Sequence, residues 1–260
     1  MRQGLSRGAS GVAGAQAIRR AMDVIRAVGR LQRSEASLSR VAHATGLNQS
    51  TAFRILRSLA EERMLYYDVA TRSYHLGVLA FELGLATSGK SQVQDVFRPV
   101  AEEIAQRTRL TTYLMARSGD EAVCLLCVEG AAVIRAKPIE MGQRLPLGVG
   151  AGSVAILSTL DDDEVAEILA LQEKNYDLFP GGRDEIARIL ERVQDVRRCG
   201  YSTSSGTVAR GVSGIGVPVL PCKGLMQLAI SVSAVTDAIS EEEARAFARI
   251  IKTALAHLPA

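Results

Sequence analysis

The sequence predicts an α+β protein in two parts. A helical N-terminal part closes with a short hairpin, and a larger part has antiparallel strands bracketed by helices. Three observations carry the prediction. Apolar residues recur at three- and four-residue spacing from Ile18 to Leu59 and give way to strand-like runs from Leu65 onward. After Thr111, neighbouring strand-like runs are joined by turn residues and flanked by helical runs, the antiparallel pattern. Charge is also divided unevenly. Residues 16–76 hold ten arginines against five acidic residues, a net of +5, whereas residues 77–260 carry −4 within a total of +3.

Residues 1–15 contain basic residues and glycines but no continuous apolar core, so they are expected to be a disordered tail and not a secretory signal. "AQAIRRAMDVIRAVGRL" reads as an amphipathic helix with Ile18, Ala21, Met22, Ile25 and Val28 as its stripe. Ser37 is placed to cap a short helix carrying Leu38, Val41 and Ala42, and Gly46 to close it. Asn48 then caps "QSTAFRILRSL", whose Ala52, Ile55, Leu56 and Leu59 face inward while Gln49, Phe53 and Arg57 share an outward strip. Two helices joined by a tight Gly-containing turn, the second polar and basic at its start, form a helix-turn-helix. "LYY" and "SYHL" follow as a hairpin with its turn over residues 69–71, which makes a wing with Arg72 near its tip. Residues 16–77 are therefore expected to be a winged helix-turn-helix DNA-binding domain. The short apolar helix that follows, within 78–92, is expected to link it to the rest and to pack against a partner chain.

The outward residues carry the chemistry of base and phosphate recognition. The expected DNA-binding set is Gln49, Ser50, Thr51, Phe53, Arg54 and Arg57, with Arg72 on the wing. A Gln amide matches adenine, an Arg guanidinium matches guanine or phosphate, and Phe53 or the Thr51 methyl can touch a thymine methyl. A solvated helix with no such role usually shows Glu and Lys there. The basic N-terminal quarter on an acidic remainder agrees with double-stranded DNA as a partner.

Residues 93–260 are expected to be an effector-binding and oligomerisation domain. "TTYLMARSGDEAVCLLCVEG" reads as two strands around a Ser-Gly-Asp turn, and "AVIRAKPIEMGQRLPLGVG" as one or two more. "AGSVAILSTL", "DDDEVAEILALQ" and "GRDEIARILERVQDVRRCGY" are helices. "GVSGIGVPVL" and "GLMQLAISVSA" are strands around a turn at 221–224, and Ser240 caps a closing helix. In "LPLGVGAGSVAIL", Gly148, Gly150 and Gly152 let backbone approach a ligand closely, and the following helix begins with free N–H groups suited to an anion. Ser231 and Ser233 share one strand face by alternation.

With these elements placed, the chain resembles the isocitrate-lyase-regulator (IclR) family of transcription factors over about residues 16–258. The resemblance is carried by the order and spacing of "GLNQSTAFRILRSL", "YHLG", "RPVAEEIAQRT", "RLPLGVGAGSVAIL" and "GYSTSSGTVARGVSGIGVPV". It implies a winged helix-turn-helix, a linker helix and a GAF-like antiparallel sheet flanked by helices. It also implies homodimers that often pair into tetramers, a near-palindromic operator, and a small organic acid or aromatic effector. The implied effector set is Leu145, Gly150, Ala151, Gly152, Ser153, Ser204, Gly214, Ser231 and Ser233. The chain departs from the family pattern at three places. Ser202, Ser204 and Ser205 stand where acidic residues are common. Ser213-Gly214 replaces an Arg-containing pair, and Gly152-Ser153 replaces Gly-Lys. Each change removes charge near the expected pocket and favours a less polar effector, or none.

Other chemistries find little support. The sequence has no G-x-S-x-G nucleophile elbow and no histidine between His75 and His257, so no hydrolase triad is expected and the chain is read as a non-enzyme. "GVGAG" has neither the dinucleotide spacing nor a P-loop lysine, and no cofactor is expected. Cys124 and Cys127 have metal-like spacing, but on a regular strand residues three apart point to opposite faces, so they are read as core cysteines and no metal is expected. Four cysteines in 260 residues, with no apolar run long enough to span a bilayer, suggest a cytoplasmic protein without membrane partners. Two alternatives remain at this stage: a ligand-independent regulator of the same fold, and a metabolite-binding or catalytic module dimerised by its N-terminal helices.

Overall fold

The computed structural model describes residues 15–31, 36–88, 93–132, 137–180, 185–220, 226–236 and 238–258. The expected tail up to residue 14, the break at residues 89–90 and the turn at 221–224 lie outside the described residues. The chain divides into two compact units, residues 1–91 and 92–260.

In the first unit, α1 (Gln16–Leu31), α2 (Leu38–Thr45) and α3 (Gln49–Glu61) pack around one small core, with β1 (Leu65–Asp68) and β2 (Ser73–Leu76) closing it. The core joins Val24 and Val28 of α1, Val41 of α2 and Leu56 of α3 to Leu65 and Tyr74 of the hairpin. The apolar stripe of α1 therefore differs from the expected one. Ile18 and Met22 are exposed, and Val24, Ala27 and Val28 are buried. Periodicity identifies the helix, but only the positions of α2 and α3 decide which part of its circumference is covered.

The caps separate in the same way. Asn48 accepts a 2.8 Å hydrogen bond from the Thr51 amide, as its position requires. Ser37 occupies the N-cap position of α2 but makes no cap bond; its hydroxyl lies 3.3 Å from that of Ser39. Gly46 ends α2 in the left-handed region at φ 65, where glycine alone meets no Cβ penalty. The hairpin is followed by α4 (Val78–Ser88), with Val78, Phe81 and Leu83 exposed.

The second unit is built on a six-stranded sheet in the order β5-β4-β3-β8-β7-β6, with every neighbouring pair antiparallel. Its elements in chain order are α5 (Val93–Thr108), β3 (Thr111–Ser118), β4 (Glu121–Val128), β5 (Arg144–Pro146), α6 (Ala151–Leu157), α7 (Asp162–Tyr176), α8 (Glu185–Cys199), β6 (Ser202–Ser205), β7 (Val212–Pro218), β8 (Leu228–Val235) and α9 (Glu241–Leu255). α5 and α9 cover one face, where Phe97, Ile104 and Ile251 meet Leu114, Ile215 and Ile230. α6, α7 and α8 cover the other, where Val154, Leu169 and Val193 meet Tyr113, Met115 and Ala229. Two α-on-β layers on one sheet make an α+β unit. The four-residue β6, "STSS", carries no apolar pattern to mark it; it is a strand because the open edge of β7 supplies its hydrogen bonds. Ser240 and Glu243 form a reciprocal capping box at the start of α9.

Cys124 and Cys127 overturn the parity argument. The β3–β4 register shifts between Leu114 and Met115, so Met115 pairs with Cys124 while Tyr113 pairs with Cys127. One extra residue on β4 is a β-bulge, and it returns both cysteines to the Tyr113 face. Burial pushes the Cys124 thiol up to about 12 and raises that of Cys127.

Candidate nucleic-acid interface and ligand pocket

The exposed surface of α3 follows from its helical period. Ala52 and Leu56 point into the core, which leaves two outward strips. One carries Ser50 and Arg54; the other carries Gln49, Phe53 and Arg57 and turns toward the hairpin. Phe53, a large aromatic on an otherwise polar face, is 45% exposed. The Ser50 hydroxyl donates to Asn48 Oδ1 at 2.9 Å, which ties it to the cap. Arg57 Nε is 3.0 Å from Glu61 Oε1, an exposed i,i+4 pair that leaves the guanidinium at the surface. Thr51 is half-buried. Arg72 stands at the wing tip with φ 54, one of three non-glycine residues in the left-handed region among the described residues. All seven residues expected to bind DNA therefore lie on or beside one surface of the first unit. Tyr67, exposed and lining a cleft with Phe53, Arg57 and Arg72, is an addition that the sequence pattern does not single out.

The second site is internal and follows from strand register. Ser204, Gly214, Ser233 and Thr111 form one lateral row across β6, β7, β8 and β3. Ser202, Gly216, Ser231, Tyr113 and Cys127 form the next row on the same face. Small side chains on β6, β7 and β8 leave a hollow in the sheet surface, and α6 lies over it. A Cβ on Gly216 would fall 2.4 Å from the Ala151 carbonyl oxygen, so that glycine permits the helix to sit this low. A Cβ on Gly152 would fall 2.9 Å from both Met115 Cγ and Ser231 Oγ. The hollow retains a cavity of about 40 Å³ between α6, the sheet and the irregular segment carrying Val208.

All nine expected effector residues, Leu145, Gly150, Ala151, Gly152, Ser153, Ser204, Gly214, Ser231 and Ser233, line this cavity. Tyr113, Met115, Ile139 and Val208 line it as well and are not singled out by the sequence. The alternation of Tyr113 and Met115 on β3 is the available signal, but using it requires knowing which strand lies beside Ser231. Gly148 does not line the cavity. Its Cβ would fall 2.8 Å from Ile189 Cδ1, so α8 packing explains it better than ligand approach. The Ser153 hydroxyl is used by the turn that leads into α6, donating to the Val149 carbonyl at 2.6 Å and accepting from the Gly148 amide at 3.2 Å. Ser233 donates to the Tyr113 phenol at 3.4 Å, and burial raises the pKa of that phenol. Ser231 is buried, with its hydroxyl on the same face as Ser233. No acidic or basic side chain lines the cavity among the described residues.

A winged helix-turn-helix joined to a helix-covered antiparallel sheet defines a DNA-binding transcription regulator, and comparison with known proteins agrees. The family model for the IclR helix-turn-helix domain matches residues 17–69, and that for the bacterial transcriptional regulator IclR C-terminal domain matches residues 86–258. The chain belongs to the IclR family. It is 27% identical over 249 residues to the HTH-type transcriptional repressor AllR of Escherichia coli K12, covering 93% of this chain and 91% of that one. The crystal structure of an IclR regulator from Alicyclobacillus acidocaldarius has a TM-score of 0.72 at 24% identity, covering 93% of this chain and 96% of that chain. An IclR homolog from Microbacterium hydrocarbonoxydans, solved in complex with 4-hydroxybenzoate, has a TM-score of 0.68 at 21% identity, covering 92% and 99%. The curated relatives are regulators and repressors, not enzymes. No helix among the described residues is long and apolar enough to cross a membrane.

Proposed function

We propose that this regulator senses a small organic molecule in the cavity beneath α6 and that the ligand modulates its grip on DNA. The observation that carries the reading is the convergence of residues from β3, β5, α6, β6, β7 and β8 on one hollow lined by hydroxyls and apolar groups. Such a lining selects a compact, largely apolar molecule with one or two polar ends. Ser231, Ser233 and Tyr113 supply hydrogen bonds for a hydroxyl or carboxyl oxygen, while Met115, Leu145 and Val208 enclose the apolar body. The aromatic acid held by the Microbacterium relative is of this chemical class. On the DNA side, Arg54 points most directly away from the core of α3 and is assigned to a base edge. The protein acts as a cytoplasmic homodimer, or a pair of dimers, on a near-palindromic operator, because a two-fold protein reads two half-sites.

Two measurements test this reading. A thermal-shift screen with 4-hydroxybenzoate, related aromatic acids and their uncharged analogues should give hits, and Ser231→Val should lose them. A screen with no hit sinks the sensing half. It would select the second reading, a ligand-independent regulator, which the small cavity of about 40 Å³ favours. Selection of genomic fragments by wild type and Arg54→Ala tests the DNA half. The variant should bind the enriched site ~1–3 kcal/mol more weakly, and equal affinity removes Arg54 from base reading.

A further inference from the structure

α3 and the wing enclose an open cleft of about 370 Å³, walled by Phe53, Arg57, Tyr67, Arg72 and Tyr74. We infer that this cleft seats one sugar–phosphate unit of a bound DNA strand, and that Asp68 is a positioning residue that sets Arg72 on the phosphate. The inference rests on reading Arg57 and Arg72 as DNA contacts and goes on to say what they contact.

Charge and shape choose the occupant. Arg57 and Arg72 line a cleft whose other walls are aromatic and aliphatic; no carboxylate lines it among the described residues, and the one beside it, Glu61, pairs with Arg57 Nε at the exposed surface, where a phosphate can displace it. Phe53 and Tyr67, both 45% exposed, present faces on which a deoxyribose can pack. A phosphate between two arginines with its sugar on an aromatic face satisfies both halves of the lining. Arg54 lies on the other outward strip, so base reading and backbone gripping fall on different sides of α3.

Arg72 is held for this task by its neighbours. Its left-handed backbone is strained for a side chain with a Cβ, a cost that glycine would avoid. Asp68 offsets that cost through the turn. Its Oδ1 accepts from the Ala70 amide at 2.9 Å and its Oδ2 from the Thr71 hydroxyl at 2.9 Å. Thr71 Oγ1 lies 2.6 Å from Ser73 Oγ, and Ser73 Oγ lies 3.1 Å from His75 Nε2. Because Thr71 gives its proton to Asp68, Ser73 must donate to Thr71 and His75 to Ser73. Every donor in the chain then points toward one carboxylate, an arrangement in which each bond strengthens the next. Arg72 sits between the two hydroxyl residues, so the chain fixes the backbone on both sides of it. The His75 ring stacks on Tyr66 across the strand pair at 5.0 Å, which anchors the far end. The Thr71 hydroxyl and the Ala70 amide hold the Asp68 carboxyl below the usual carboxylate range, so the acceptor is charged at neutral pH.

The test is binding of the full-length protein to a short labelled duplex of mixed sequence, over a salt series. Arg57→Ala and Arg72→Ala should each weaken binding and flatten the slope of log K against log salt, and the double variant should flatten it by roughly 0.9, the one phosphate that is no longer neutralised. Asp68→Ala discriminates by sign. It removes a negative charge, so charge alone predicts tighter binding, whereas failed positioning predicts binding roughly three- to tenfold weaker. Thr71→Val, which changes no charge, should weaken binding in the same direction. Asp68→Ala combined with Arg72→Ala should be no weaker than Arg72→Ala alone. Equal or tighter binding by both Asp68→Ala and Thr71→Val overturns the positioning role. Unchanged affinity and slope in both arginine variants overturn the seat; if Arg54→Ala still loses fragment selection, the DNA-reading helix survives that failure.

Discussion

The two candidate sites are built in opposite ways. The candidate DNA-binding surface takes six of its seven residues from one stretch of nine positions, Gln49 to Arg57, and displays them outward. The pocket takes its residues from five strands, a helix and the loops between them, spread from Tyr113 to Ser233, and encloses them. The difference fits what each is proposed to recognise. A duplex is large and polyanionic, so a convex helix edge and a few cations suffice. A small molecule must be surrounded, and only a sheet covered by a helix brings enough distant residues together. The supporting cores differ too: a single small cluster stands behind α3, whereas two large clusters sandwich the sheet.

That contrast can be broken at its thinnest point first. Leu56 is fully buried at the centre of the N-terminal core. Leu56→Ala should cost ~2–5 kcal/mol, a large part of what so small a core supplies. Hydrogen exchange should show lost protection within residues 16–76, DNA binding should vanish, and protection of β3 and β8 should persist. Loss of protection in both units together would show that the two are not independent.

The pocket should break differently. Gly216→Ala places a methyl group against the Ala151 carbonyl and must lift α6 off the sheet. The expected cost is ~1–3 kcal/mol in chemical denaturation, with loss of ligand-induced thermal shifts and little change in ligand-free DNA affinity. An unchanged denaturation midpoint would mean that α6 is not tightly seated.

The caps of the two helix-turn-helix helices give a smaller and sharper comparison. Asn48→Ala removes a real cap bond and should cost ~1 kcal/mol, whereas Ser37→Ala removes none and should cost at most a few tenths. Equal costs, measured by urea denaturation, would contradict the capping geometry.

The smallest effect concerns chemistry alone. With its thiol pushed up to about 12 by burial, Cys124 stays protonated and should resist iodoacetamide at mildly alkaline pH, while exposed Cys199 reacts. Mass spectrometry of timed samples reads this directly, and equal rates would show that β4 opens.

Legibility in the sequence follows the same division. The helix-turn-helix is readable because helical period, caps and turn glycine are local properties, and its α3 site residues follow from one period. The start of α6 is readable for the same reason, as a contiguous glycine-rich run. Ser204 and Gly214 are reached only through family resemblance. Tyr113, Met115 and Val208 escape sequence reasoning because no local pattern ties β3 or the segment after β6 to α6. Ser37 makes no cap bond and Gly148 faces α8 instead of the cavity, and two further expectations fail where a local rule meets a tertiary fact. A stripe through Ile18 and Met22 of α1 fits the helical period, but their neighbours leave both uncovered. The cysteine parity assumes a regular strand, and a bulge shifts it.

By itself, then, the sequence determined the fold class, the helix-turn-helix with its outward Gln, Phe and Arg residues, the wing and the glycine-rich approach to α6. These rest on spacing, capping and turn chemistry between residues a few positions apart. Only the tertiary structure decided which strands lie side by side, that Ser204, Gly214 and Ser233 share one row, and that α6 sits low enough over Gly216 to roof a cavity. It also decided that Arg57 and Arg72 face one cleft. Strand order and helix seating depend on contacts between residues tens of positions apart, where side-chain volume and hydrogen-bond pairing across the whole sheet select one arrangement.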